Sequence, residues 1–119
     1  MILGQLCIAL VAILHIGFLV LEMFLWDKPL GMKVFGNTPQ KAQLTKVLAQ
    51  NQGLYNGFLA ASLIWSICAT DAFAISLANF FLGCVIVAGV YGAITVSKKI
   101  LYVQALPALI ALLVVNVMA

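Results

Sequence analysis

Apolar positions fall into four long stretches, at residues 2–26, 47–69, 73–96 and 100–117. Each can cross a hydrocarbon layer as an α-helix, for which about 20 residues suffice at roughly 1.5 Å per residue. The first stretch is interrupted only by Gln5, His15 and Glu22. It lacks the basic start and small-residue cleavage pattern of a signal peptide and is longer than such a peptide's apolar run, so a retained helix is expected. Residues 27–46 change character: Pro29, Gly31, Gly36 and Pro39 punctuate the segment and forbid a continuous helix. Met32, Val34 and Phe35 around Lys33 suggest a loop lying at the lipid headgroups, with Trp26 marking the boundary. A helix is expected to begin after Pro39, carrying Lys41 and Lys46 before it enters the membrane. The second stretch opens on the polar run NQGLYNG at residues 51–57 and ends at a short turn around Thr70 and Asp71. A tight hairpin at Ser97, Lys98 and Lys99 separates the third stretch from the fourth, which contains Pro107. The pattern predicts an all-α fold, a single-domain integral membrane four-helix bundle over residues 1–119.

Four crossings place residues 27–46 and the Lys98–Lys99 hairpin on one face, and the Asp71 turn with both termini on the other. All six lysines, Lys28, Lys33, Lys41, Lys46, Lys98 and Lys99, fall on the first face. Because lysine-rich loops stay in the cytoplasm, the expected orientation is N-out/C-out, with residues 27–46 cytoplasmic and the chain multi-pass in the plasma membrane.

Composition agrees with lipid as the main partner. Of 119 residues, 66% are hydrophobic and 8% charged, against about 45–50% and 25% in soluble domains. So few charges cannot coat a globule in water, and the length leaves no room for a separate soluble domain. The net charge of +3 includes no arginine, which argues against a nucleic-acid partner, since phosphate readers favour arginine's bidentate fork. Cys7, Cys68 and Cys84 lie in apolar surroundings and read as small buried hydrophobes; a Cys7–Cys68 disulfide is conceivable by depth and unsupported by spacing.

Helices in lipid approach through small residues. Gly53, Gly57 and Ala61 recur every four residues; Ala88 with Gly92, Gly89 with Ala93, and Ala105, Ala108 and Ala111 give similar ridges. These suit packing within the chain or a homo-oligomer contact.

Polar residues inside such helices need partners or a watery cavity. His15 and Glu22 are two turns apart and share a face; Asn51, Gln52, Tyr55 and Asn56 form one stripe; Tyr91 and Thr95 lie one turn apart; Gln104 precedes the kink expected at Pro107. All but the deeper His15 fall in the cytoplasmic half of the expected bundle, which predicts a polar pocket opening to the cytoplasm and a nearly dry outer half. The bland alternative is that these groups bond one another and fix helix register, and that Glu22 pairs with a loop lysine such as Lys28. His15, without a second histidine, fits a hydrogen-bonded core residue better than a metal or haem ligand, and no cofactor is expected.

The segments LHIGFLVLEMFLW (14–26), NQGLYNGFLAA (51–61), AGVYG (88–92) and VQALPAL (103–109) make the chain similar to the small bacterial membrane proteins grouped as domain of unknown function family 1304. That resemblance implies a four-span protein, here of the bacterial inner membrane, and no particular activity.

Three functions are compatible with these residues. The first is binding or transport of a small polar or cationic solute, with Glu22 as charge partner and His15 as a deeper relay. The second is a membrane enzyme acting on a lipid or isoprenoid, with His15 and Glu22 as acid and base and Tyr91 or Tyr55 assisting; the absence of a nucleophile–base pair, metal cluster or phosphate loop leans against it. The third is a scaffold or accessory subunit using the small-residue ridges.

Overall fold

A computed structural model describes residues 2–118, and the helices in it begin and end where local chemistry dictates. Helix α1 covers Ile2–Met23. It stops three residues short of the expected boundary because Lys28, preceding Pro29, is held extended (φ −97°, ψ 161°) and the chain must turn first. Phe24 and Leu25 both donate to the Val20 carbonyl, closing the last turn.

The expected loop 27–46 is largely helical. Pro29, with its φ preset, opens a short helix α2 over Pro29–Phe35, and Gly36 caps it in the left-handed conformation (φ 67°, ψ 33°). Helix α3, Pro39–Cys68, starts at the predicted proline: the Thr38 hydroxyl accepts from the Lys41 amide at 3.2 Å, a side-chain cap. The four punctuating residues therefore mark helix ends or, for Gly31, a close approach. A Cβ on Gly31 would collide with the Leu25 carbonyl oxygen.

Helix α4 covers Asp71–Thr95. After a turn built on Ser97, residues Leu101–Ala105 form a π turn leading into α5, Leu106–Met118. The Leu106 amide donates to the Leu101 carbonyl. Pro107 has no N–H to offer the carbonyl four residues back, so the expected irregularity takes the form of a widened turn.

Three helical stretches are long and apolar enough to cross a membrane: Ile2–Met23, Asp71–Thr95 and Leu101–Met118. Helix α3, the longest at 30 residues, is not among them, because Gln50, Asn51, Gln52 and Asn56 dilute its apolar run. All described residues in regular structure are helical.

The chain forms two compact units. One takes residues up to Leu14 together with those from Leu59 onward. Its core joins Ile8, Val11 and Ala12 of α1, Leu63 of α3, Leu82 and Val85 of α4, and Ala108, Ala111 and Val115 of α5. Small side chains bring α4 against the π turn: a Cβ on Gly89 would lie 2.6 Å from the Ala105 nitrogen. Outward, Phe80, Val87, Leu113 and Val117 are more than half exposed, a surface suited to acyl chains rather than water. The other unit, His15–Phe58, holds the end of α1, all of α2 and most of α3. Among the described residues the three cysteines are free thiols.

Candidate functional site

Within His15–Phe58, α1 and α3 run antiparallel, and glycine lets them meet. A Cβ on Gly53 would stand 2.6 Å from Met23 Cγ and 3.1 Å from Glu22 Cβ, and one on Gly57 would stand 2.7 Å from Leu19 Cδ1. This close approach puts Glu22 against the polar stripe of α3. Gln52 Nε2 donates to Glu22 Oε2 at 2.6 Å, and Asn56 Nδ2 donates to Glu22 Oε1 at 2.5 Å. Residues 52 and 56 are one turn apart, so their amides reach the two oxygens of one carboxylate from the same helix face. Glu22 is 2% exposed and Asn56 8%.

The carboxylate thus meets neutral amides, and the basic partner expected from the loop goes elsewhere. Lys46 Nζ binds Asp27 Oδ2 at 3.0 Å. One residue back on each segment, Trp26 Nε1 in the turn after α1 donates to Thr45 Oγ1 of α3 at 3.1 Å, and the Trp26 ring packs on Phe35 with centroids 4.8 Å apart. Bonding to Lys46 holds the Asp27 carboxyl below its ordinary value of 3.8. These contacts brace the helix pair beyond the buried Glu22.

The nine residues singled out in the sequence divide. Glu22, Gln52 and Asn56 come together. His15 is buried in the same unit, its ring edge-on to Phe18 at 5.2 Å between centroids. Asn51 is exposed and donates to the Val47 carbonyl of its own helix; Tyr55, also exposed, packs edge-on against Phe58. Tyr91, Thr95 and Gln104 belong to the other unit. There Tyr91 is exposed and Thr95 donates back to the Tyr91 carbonyl, while Gln104 is half-buried. The Asp27–Lys46 and Trp26–Thr45 contacts were not legible beforehand, since only the helix register brings residues 19 apart together.

Residues 9–116 match the family described as protein of unknown function DUF1304. The chain is also 30% identical, over 106 residues, to the uncharacterized protein YpaA of Lactococcus lactis subsp. lactis (strain IL1403), a match covering 87% of this chain and 88% of that protein. No solved structure matches. With the match running from the first helix to the last, the chain belongs to the DUF1304 family.

Proposed function

We propose that this protein is a four-span protein of the bacterial inner membrane that binds, and carries, a proton or small cationic solute at Glu22. The observation that carries the reading is a carboxylate almost wholly removed from solvent whose partners are two neutral amides. An uncompensated ionisable group inside a membrane helix is expensive, and such groups cluster on ion and proton paths. Gln52 and Asn56 hold the two oxygens in place without neutralising them, so the remaining negative charge is available to a proton or cation that displaces an amide. Buried His15, two turns along the same helix, is a second titratable group on that line.

The fourth crossing in this reading is α3, where Gln52 and Asn56 lose their penalty by bonding Glu22 and Asn51 by bonding the Val47 carbonyl of its own helix. N-out/C-out orientation rests on the lysines, and a bacterial relative supports the bacterial membrane. The reading is tested with purified protein in proteoliposomes, following uptake of labelled methylammonium and tetraphenylphosphonium under an imposed pH gradient. Uptake by the wild type and at least a tenfold loss in Glu22→Gln are expected. Equal uptake by the two proteins would exclude the role.

One observation favours a second reading, a register clamp within a scaffold: both carboxylate oxygens already have donors, and Gly53 and Gly57 press the helices together around them. A clamp predicts that Glu22→Gln lowers stability and leaves uptake untouched.

A further inference from the structure

The unit that includes α4 and α5 contains a cleft of about 430 Å³ that shares no residue with the Glu22 centre. It lies where the start of α1, the end of α3, the start of α4 and the end of α5 meet. Its walls are apolar, with half-buried Ala69, Ala74 and Ile75 above a base of fully buried Ile8, Ala78 and Val115. Its rim is polar, with Gln5, Ser66, Thr70 and Asp71. The volume falls in the range of about 300–1,000 Å³ typical of small-molecule sites, and apolar walls below a few polar groups are their usual make-up.

Three side chains on the rim, Gln5, Ser66 and Asp71, present acceptors. Gln5 Nε2 is directed to the Ile67 carbonyl at 3.5 Å, leaving its side-chain oxygen to the cleft, and the buried Ser66 hydroxyl spends its proton on the Leu63 carbonyl at 2.6 Å, keeping its lone pairs. Thr70 makes no side-chain cap at the start of α4. Among the described residues no hydrogen bond or ion pair engages the Asp71 carboxylate. No lysine occurs between Lys46 and Lys98, and Lys98 and Lys99 follow the far end of α4, about 37 Å away at 1.5 Å per residue. Asp71 is also the one described non-glycine residue with a positive φ, 58°. Aspartate and asparagine tolerate that conformation better than other side chains.

We infer that this cleft binds a primary ammonium group carried on a short apolar stem, the ammonium at Asp71 with Gln5 and Ser66 as further acceptors and the stem against Ala69, Ala74 and Ile75. An ammonium has three donors and no acceptor, the complement of this rim. An anion would meet the carboxylate, and a ligand without a stem would leave the half-buried apolar walls uncovered. The same chemistry is presented by a free alkylamine and by an ethanolamine lipid headgroup.

The test is calorimetric titration of the full chain in phosphatidylcholine nanodiscs with hexylammonium, and with hexanol as the uncharged isostere. Saturable hexylammonium binding, at least tenfold tighter than hexanol, is expected. Asp71→Asn keeps the residue type suited to the positive φ and removes only the charge, and should weaken hexylammonium at least tenfold while leaving hexanol unchanged. Ala74→Phe, which fills the cleft from its half-buried wall, should abolish both. Hexanol binding as tightly as hexylammonium, or Asp71→Asn binding like the wild type, would overturn the proposal. In discs containing phosphatidylethanolamine, weakened hexylammonium binding assigns the site to the lipid headgroup and unchanged binding assigns it to a free amine; either upholds ammonium recognition. None of these measurements depends on Glu22.

Discussion

The two units hold their helices together by different chemistry. Where α4 meets the π turn and α5, the close contact is made by Gly89, Ala105, Ala108 and Ala111, and the amide pair that also joins α4 to α5, Asn79 with Asn116, lies at its exposed edge outside the core. Where α1 meets α3 inside His15–Phe58, the contact is made by glycine and by a carboxylate gripped between two amides. Lipid gives no hydrophobic reward for burying one apolar helix against another, so a dry contact must rely on close approach and dispersion alone. A polar contact can add hydrogen bonds of about 1 kcal/mol each, provided every group is satisfied. The dry contact should therefore fail through sterics, and the polar one through chemistry.

The largest effect is expected at Gly89. Its missing Cβ faces backbone, the Ala105 nitrogen at 2.6 Å and Cα at 2.9 Å, which cannot swing aside. Gly89→Val should cost about 3 kcal/mol or more, read as a lowered midpoint in denaturant titration of the micellar protein. At Gly83, where a Cβ would meet nothing within 4 Å, alanine should be neutral or stabilising by up to about 1 kcal/mol. Equal effects at the two sites would remove the close-approach argument.

A middling effect is expected at Gly53. The Leu19 carbonyl would lie 3.2 Å from its Cβ and Glu22 Cβ 3.1 Å, but the nearest atom, Met23 Cγ, belongs to an unbranched flexible side chain, so Gly53→Ala should cost about 1–2 kcal/mol. That loss should shrink in a Glu22→Gln background if Gly53 serves the Glu22 contact, a comparison a double-mutant cycle measures.

The smallest effect is expected at the Asp27–Lys46 pair. The folded-state pKa of Asp27 lies below 3.8, so its contribution is present at neutral pH and is lost only as the pH falls below about 4 through that depressed value. Unfolding midpoints of wild type and Asp27→Asn should differ slightly at pH 7, converge toward pH 2, and converge also in high salt. A difference that persisted at pH 2 would mean the pair is not the cause.

Helix chemistry was legible in the sequence wherever it is local. Pro39 as a start, the Ser97–Lys99 hairpin, the Thr70–Asp71 turn and the irregularity before Pro107 depend on one or two residues each. Helix α2 was harder to read, because Gly31 signals a break in a sequence while in the fold it marks a contact with Leu25. The pairing of Glu22 with Gln52 and Asn56 was half legible: the stripe on α3 and the glycines beside it were visible, but not which stripe residues would face α1. Tyr55 and Asn51 share that stripe by spacing, yet the rotation set by Gly53 and Gly57 turns them outward. The cleft at Asp71 was missed because its polar residues, Gln5, Ser66 and Asp71, lie on three different helices and form no motif.

Glu22 is the only glutamate in the chain, so its carboxyl carbon can be labelled uniquely with ¹³C-glutamate. Solid-state recoupling between that carbon and ¹⁵N-labelled asparagine side chains, in protein reconstituted into lipid, measures the central contact directly. A strong dipolar coupling that disappears in Asn56→Ala is predicted. No coupling in the wild type, or one indifferent to Asn56→Ala, would contradict the buried Glu22 centre.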